Sequence, residues 1–289
     1  MPIDVASYLK FAPTDDTGSF AADAEGHVYY DDSQAQLKHY DGSNWLRVNT
    51  SINYDRPGDG QYDADDYTKL LIHSNTNGTI PHGNSQAQDS GVTGHTVGMH
   101  GQATHTTGQK KIGLTSIYLD GASVYDYLSV PVHDDFDFGS GNFTIDYWAQ
   151  RVDNDTTEFM FGQGGSDGNE DLALRFNASS PSAGEVLAYF RNHLGVLTGW
   201  YPGFTVTDTN WHHYAMVRDG NTIKIALDGT FGATTHDCTG DSHYTTPDDF
   251  AIGIFGEYTA GLYFKGYIDE FRVSKGIARW TSNFMVSGW

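Results

Sequence analysis

The sequence predicts an all-β protein: an antiparallel β-sandwich of jelly-roll type, preceded by a small N-terminal β-ribbon. Three observations carry that prediction. The 289 residues include 34 glycines, 18 tyrosines and 16 phenylalanines, a mixture suited to many short strands and turns. Apolar residues recur with period two, which places alternate side chains on opposite faces of a strand. Asp-Gly pairs at 120–121, 219–220 and 228–229 mark tight hairpin turns. Long windows of helical periodicity are absent.

The elements follow in chain order. Val5–Phe11 reads as an arm able to dock elsewhere. Gly26–Asp31 reads as a strand, Gln36–Tyr40 as its partner, Asp41–Asn44 as a turn and Trp45–Val48 as a third strand. A ribbon this small is marginal alone and needs a neighbour or further copies of itself. Residues 1–50 therefore form an anchoring module, residues 51–64 a linker rich in Asp, Gly and Pro, and residues 65–289 the main domain. Within that domain Phe143, Ile145, Tyr147 and Ala149 share one face, against Thr144, Asp146, Trp148 and Gln150. Val186, Ala188 and Phe190 alternate likewise, as do Ile223, Ile225 and Leu227. Several strands mix apolar and polar residues on both faces, which suits a sandwich in which some outer faces are covered or curved. A short helical turn is expected at Ser274–Ala278.

Charge and motifs exclude several functions. Sixteen Lys and Arg stand against 37 Asp and Glu, a formal charge of −21. Such a surface repels nucleic acid and anionic lipid, because both are held by cations displacing counterions. No run of 18 apolar residues occurs, so membrane insertion is not expected. The N-terminus lacks the basic and apolar stretches of a secretory signal. Cys238 is the single cysteine, so no internal disulfide forms. It reads as a loop thiol.

Enzymatic signatures are missing too. A glycosidase needs two carboxylates facing one bond, most simply from alternate positions of one strand. Here Asp269 and Glu270 are adjacent and would diverge, and so would Glu170 and Asp171. The chain is expected not to be an enzyme. His95, His100 and His105 are spaced by five and would alternate faces on a strand, so they do not predict a zinc site. Asp55, Asp59, Asp63, Asp65 and Asp66 lack a calcium-loop pattern and read as solvated linker.

From residue 65 onward the chain resembles the laminin-G-like, concanavalin A-like jelly-roll family. The resemblance lies in Asp66–His73, Asp89–Gly91 and Gly94–Val97, Lys110–Gly121, Asp137–Trp148, Trp211–Gly220, Tyr267–Ser274 and Ala278–Thr281. It is closest to members from bacteriophage particles and marine bacterial surface proteins. Gly26–Tyr30 and Tyr40–Trp45 resemble a small phage-fibre module. The resemblance implies a non-enzymatic phage virion protein (fibre, spike or capsid decoration). It would be made in the host cytoplasm and displayed on the virion surface, as a homotrimer. The N-terminal residues Tyr8, Phe11, Tyr29, Tyr40 and Trp45 would contact other virion proteins. The jelly-roll head would contact host surface polysaccharide or neighbouring virion proteins. The alternatives are a bacterial carbohydrate-binding or adhesion module and, further off, a glycoside hydrolase.

Sugar faces stack on exposed aromatic rings, with amides and carboxylates fixing the hydroxyls. That chemistry selects Trp200, Tyr201, Tyr189, Asp167 and Tyr258 as glycan-binding candidates. Asp269 is expected to share a strand face with Tyr267, Phe271 and Val273. A carboxylate in apolar company needs a metal or hydrogen-bond donors. The family resemblance implies a structural Ca2+ there, with Asp89 as co-ligand. The alternative is an Asp269 held by backbone amides or by Arg279.

Overall fold

The computed structural model describes residues 62, 64–74, 86–121, 126–153, 156–164, 171–177, 183–255 and 262–286, with the backbone of three strands between 28 and 47. The chain divides into two compact units, Met1–Pro57 and Gly58–Trp289. The first holds an antiparallel meander of β1 (Val28–Asp31), β2 (Gln36–Tyr40) and β3 (Trp45–Arg47). Tyr29, Tyr40 and Trp45 sit on these strands. Their side chains, and Tyr8 and Phe11 altogether, lie outside the described residues.

The second unit is a sandwich of two antiparallel sheets. The first sheet contains β4 (Thr68–Ile72), β7 (Thr104–Thr106), β8 (Ser116–Leu119), β10 (Phe143–Arg151), β15 (Trp211–Asp219), β16 (Thr222–Leu227), β17 (Thr230–Phe231), β18 (His236–Asp237) and β20 (Gly266–Lys275). Its order is β17-β16-β15-β10-β20-β8-β7, with β18 paired to β16 and β4 to β20. The second contains β5 (Gln86–Ala87), β6 (Val97–His100), β9 (Tyr127–Val130), β11 (Glu158–Gln163), β12 (Leu172–Asn177), β13 (Glu185–Arg191), β14 (Leu197–Trp200) and β19 (Phe250–Ile252). Its order is β14-β13-β12-β11-β19-β9-β6-β5.

Between the sheets lies the main core, built as the alternation demands. Phe143, Ile145, Tyr147 and Ala149 face it from β10, Val186, Ala188 and Phe190 from β13, and Ile223 and Ile225 from β16. Tyr147 is sandwiched by Tyr214 at 5.5 Å and Phe271 at 5.1 Å, in offset stacks. Cys238 lies in the loop after β18, as expected, but its side chain is buried in this core, and burial pushes its thiol pKa up.

The outer face of the first sheet is covered as well, which explains its mixed strands. Residues 278–286 cross it, with Ala278, Trp280 and Phe284 on Ala215, Val217 and Ala226, and Val286 beside Trp148. Trp280 stacks on Phe284 at 3.9 Å. Beneath them Arg272 grips Asp146 with two hydrogen bonds of 3.0 and 2.9 Å. Burial alone would raise the Asp146 pKa; the Arg272 charge, its two hydrogen bonds and the nearby His213 outweigh it and hold the group low. Tyr62, inside the stretch read as linker, is buried here under the Arg272 guanidinium at 4.0 Å.

Local chemistry sets two details. Leu227 pairs with Thr230 across Asp228-Gly229, whose φ values of +49° and +78° are those of a type I′ turn. In β20 a bulge intervenes: Asp146 opposes Arg272 and Trp148 opposes Asp269, three steps against two, with Glu270 at φ +51°. The expected helical turn at Ser274–Ala278 does not form, because β20 continues to Lys275 and Gly276 turns at φ +93°.

Candidate functional site

The bulge changes the fate of Asp269. Phe271 and Val273 face the core with Ile268, while Asp269 turns to the covered outer face. There its Oδ2 accepts the Lys111 and Ile112 amides at 2.9 and 3.0 Å, and its Oδ1 accepts that of Glu270 at 3.0 Å. Burial holds its pKa well above the usual carboxylate range, the neighbouring Glu270 adds to that, and the three amides oppose it. Glu270 itself faces His73 at 2.9 Å and accepts the Tyr62 amide. Adjacent acids therefore do not diverge here, because one of them is the bulged residue. Asp89 is a loop clamp: its oxygens accept the amides of Leu71, Gly91 and His95 at 2.9, 2.7 and 2.7 Å. Both proposed calcium ligands thus spend their oxygens on backbone amides.

Among the glycan candidates, Trp200 is a correction. It pairs with Ala188 across β13 and β14, so it shares that residue's inward face and lies in the core, stacked on His236 at 5.1 Å. Parity turns the next residue out: Tyr201 is 43% exposed, and its hydroxyl accepts from Asn177 at 3.3 Å. Tyr189 is on the outer face of the second sheet, half-buried, with the Arg175 guanidinium 5.2 Å from its ring. Asp167 and Tyr258 lie outside the described residues. Tyr189 and Tyr201 are thus the described candidates that reach the surface.

The loops at one end of the sandwich form a continuous polar rim that sequence reasoning missed. Strand register defines this end: Val130, Phe250 and Gln163 align across β9, β19 and β11, then Leu172 and Phe190 across β12 and β13. Beyond β13 the hairpin is shaped by Asn192, whose Oδ1 accepts the amides of Leu194 and Val196 at 3.1 and 2.9 Å. Its Nδ2 donates to Asp241 at 3.0 Å. Leu194 and Val196 are thereby held outward, 73% and 56% exposed. Tyr244 is exposed beside them; its amide donates to the Arg191 carbonyl at 3.1 Å, and the Arg191 guanidinium lies 5.9 Å from its ring. Arg191 is oriented by Asp171 at 2.9 Å. Thr245 donates to Asp137 at 3.0 Å, joining this loop to the segment after β9.

That segment carries a second constellation. Asp135 sits in a short 3-10 turn, Asp134–Phe136, capped by His133. Its Oδ2 accepts the Thr93 hydroxyl at 2.6 Å and meets His95 Nε2 at 3.0 Å and His133 Nδ1 at 3.3 Å. Burial would raise the Asp135 pKa; the Thr93 bond and the two imidazoles outweigh it and hold it low. The equal spacing of His95, His100 and His105 carried no signal, since His95 finds His133 instead. The motif that does is His133-x-Asp135 directly after a strand.

A family model described as the concanavalin A-like lectin/glucanases superfamily, Laminin_G_3, matches residues 122–279. No curated protein sequence matches the chain. Solved structures show the same fold at low identity. The binding domain of Paraclostridial Mosquitocidal Protein 1 aligns with TM-score 0.56 and 9% identity, over 73% of this chain and 50% of that one. Botulinum neurotoxin type C, in a structure whose report ties cell entry to two ganglioside molecules, gives TM-score 0.52 and 12% identity over 73% and 49%. Domain 4 of the arabinanase AbnA from Geobacillus stearothermophilus, solved with arabinotriose, gives 0.50 and 18% over 74% and 95%. The chain spans about half the length of the toxin binding domains it matches. With more than half of its residues under that family model, and two antiparallel sheets enclosing one core, the chain belongs to the Laminin_G_3 family of the concanavalin A-like superfamily.

Proposed function

We propose that the sandwich is a non-catalytic glycan-recognition head whose contact surface is the loop rim around Tyr244. One observation carries this reading: an exposed tyrosine ring, braced by Arg191, stands beside the amide of Asn192 and the carboxylate of Asp241. A sugar stacks on such a ring through its C–H face, and fixed amide and carboxylate groups select its hydroxyls. The rim acids are already engaged, Asp171 by Arg191, Asp241 by Asn192 and Asp137 by Thr245, which suits orienting hydroxyls better than moving protons. The ligands in the reports of the arabinanase domain and the neurotoxin are of the same class. A glycan array with the wild type, Tyr244→Ala and Tyr201→Ala tests the proposal. Tyr244→Ala is expected to weaken binding by roughly two- to tenfold, since an aromatic stack contributes about 0.5–1.5 kcal/mol. A blank array, or loss confined to Tyr201→Ala, sinks it.

We further infer that this head is displayed on a phage particle through residues 1–57. The support is the fibre-module resemblance of Gly26–Tyr30 and Tyr40–Trp45, together with the compact three-stranded unit that contains them. Protein analysis of purified particles tests this, and absence of the chain from them rejects it.

A further inference from the structure

We infer that His95, His133 and Asp135 form a binding site for a zinc-class transition-metal ion, independent of the glycan reading. Among the described residues these three form the group whose ligand atoms all lie within 4.8 Å of one another. Their chemistry is selective. Two imidazoles and one carboxylate favour Zn2+, Ni2+ or Cu2+, whereas Ca2+ and Mg2+ take oxygen ligands.

The spacing fits. An ion about 2.0–2.2 Å from each ligand holds neighbouring ligand atoms roughly 3–3.5 Å apart. His95 Nε2 and His133 Nδ1 lie 3.0 and 3.3 Å from Asp135 Oδ2.

His133 Nδ1 accepts the Asp135 amide at 3.1 Å, so an ion bound at that nitrogen takes the place of this capping hydrogen bond.

The surroundings are those of a built site. Thr93 orients the carboxylate at 2.6 Å, and the His95 amide is fixed by Asp89 at 2.7 Å, so both ligands on that side have outer support. Phe136 floors the His95 ring at 5.2 Å. The side chains of His95 and Asp135 are 6% and 16% exposed, while His133 is 46% exposed and leaves the ion open to solvent or to a ligand hydroxyl. Three protein ligands with an open position are the arrangement of non-structural zinc sites.

The test is calorimetric titration of the full chain with Zn2+ alone, repeated with Ca2+, on the wild type, His133→Ala, Thr93→Val and His193→Ala. The expected result is one equivalent of Zn2+ on the wild type. His133→Ala should weaken it by more than about tenfold, and Thr93→Val by about tenfold through loss of the outer hydrogen bond. His193→Ala, a surface histidine outside the group, should bind as the wild type does. Ca2+ should give no saturable binding at this site. Equal Zn2+ binding by the wild type and His133→Ala places the metal elsewhere and overturns the proposal. So does the absence of any saturable Zn2+ heat. His133→Ala removes one capping hydrogen bond from a three-residue turn, and an unchanged near-UV circular dichroism spectrum verifies that the fold is kept.

Discussion

His243 shows how one buried side chain couples stability to pH. Its ring lies between Phe138 and Phe190, at 5.6 and 5.8 Å, and neither ring nitrogen has a hydrogen-bond partner among the described residues. Burial disfavours the imidazolium; nearby Asp137 favours it weakly and Arg218 opposes it, leaving the pKa at about 4. The unfolded chain carries this histidine near 6.5, so between about pH 6.5 and 4 the unfolded state binds more protons. Stability is therefore complete above about 6.5 and falls as the pH drops toward 4, by about 3 kcal/mol for this group. His243→Phe should flatten that part of a urea-midpoint profile while changing neutral-pH stability little. A variant whose acid limb matches the wild type would remove His243 as the cause. Such a residue is hard to read from sequence, because burial of a loop histidine depends on which aromatics the fold brings to it. Trp200 failed for a related reason. Its inward face follows from pairing with Ala188, which is a register across two strands and not a property of either.

At the scale of elements the sequence was more legible. Period-two alternation placed the core faces of β10, β13 and β16 correctly, because a strand without a bulge has only two faces to choose between. It failed in β20, where a non-glycine residue at φ +51° adds one position and reverses the parity of everything before it. The Asp228-Gly229 turn was readable from its dipeptide, but its second role was not. Gly229 accepts the Phe284 amide at 2.9 Å, and a Cβ there would strike the Phe284 carbonyl. The turn thus docks the C-terminal segment that covers the outer sheet. Gly240 provides the comparison, with φ +80° against +78° but open space around it. Replacing Gly240 by Ala should cost about 1 kcal/mol, the ordinary penalty of the left-handed region. Gly229→Ala should cost more than about 2 kcal/mol and expose Trp280, visible as a red-shifted tryptophan emission. Equal melting shifts in the two variants would mean that Gly229 matters only for its turn.

At the scale of the molecule, the charge of −21 acquires a distribution. Arg151, Arg218 and Arg272 are buried, and Arg151 and Arg272 pair there with Glu158 and Asp146. Each of those pairs removes one cation and one anion from the surface, while Arg218 removes a cation by capping the carbonyls of Gly139, Gly220 and Asp241. Asp126, Asp171, Asp269 and Glu270 are buried too, so among the described residues the interior takes six acids and three arginines, and no described lysine is buried. At the rim Arg191 is committed to Asp171, so the Tyr244 surface gains no free positive charge from it. An anionic glycan approaching this face meets repulsion over the Debye length, about 30 Å at 0.01 M salt and about 8 Å at 0.15 M. A neutral glycan of the same size does not. The glycan head is accordingly expected to prefer neutral over sialylated or sulfated oligosaccharides at low salt, with the preference shrinking as salt rises. Measuring a matched neutral and sulfated pair at both ionic strengths decides it, because tighter binding of the sulfated ligand that weakens with salt would require a cationic site where the structure places paired acids.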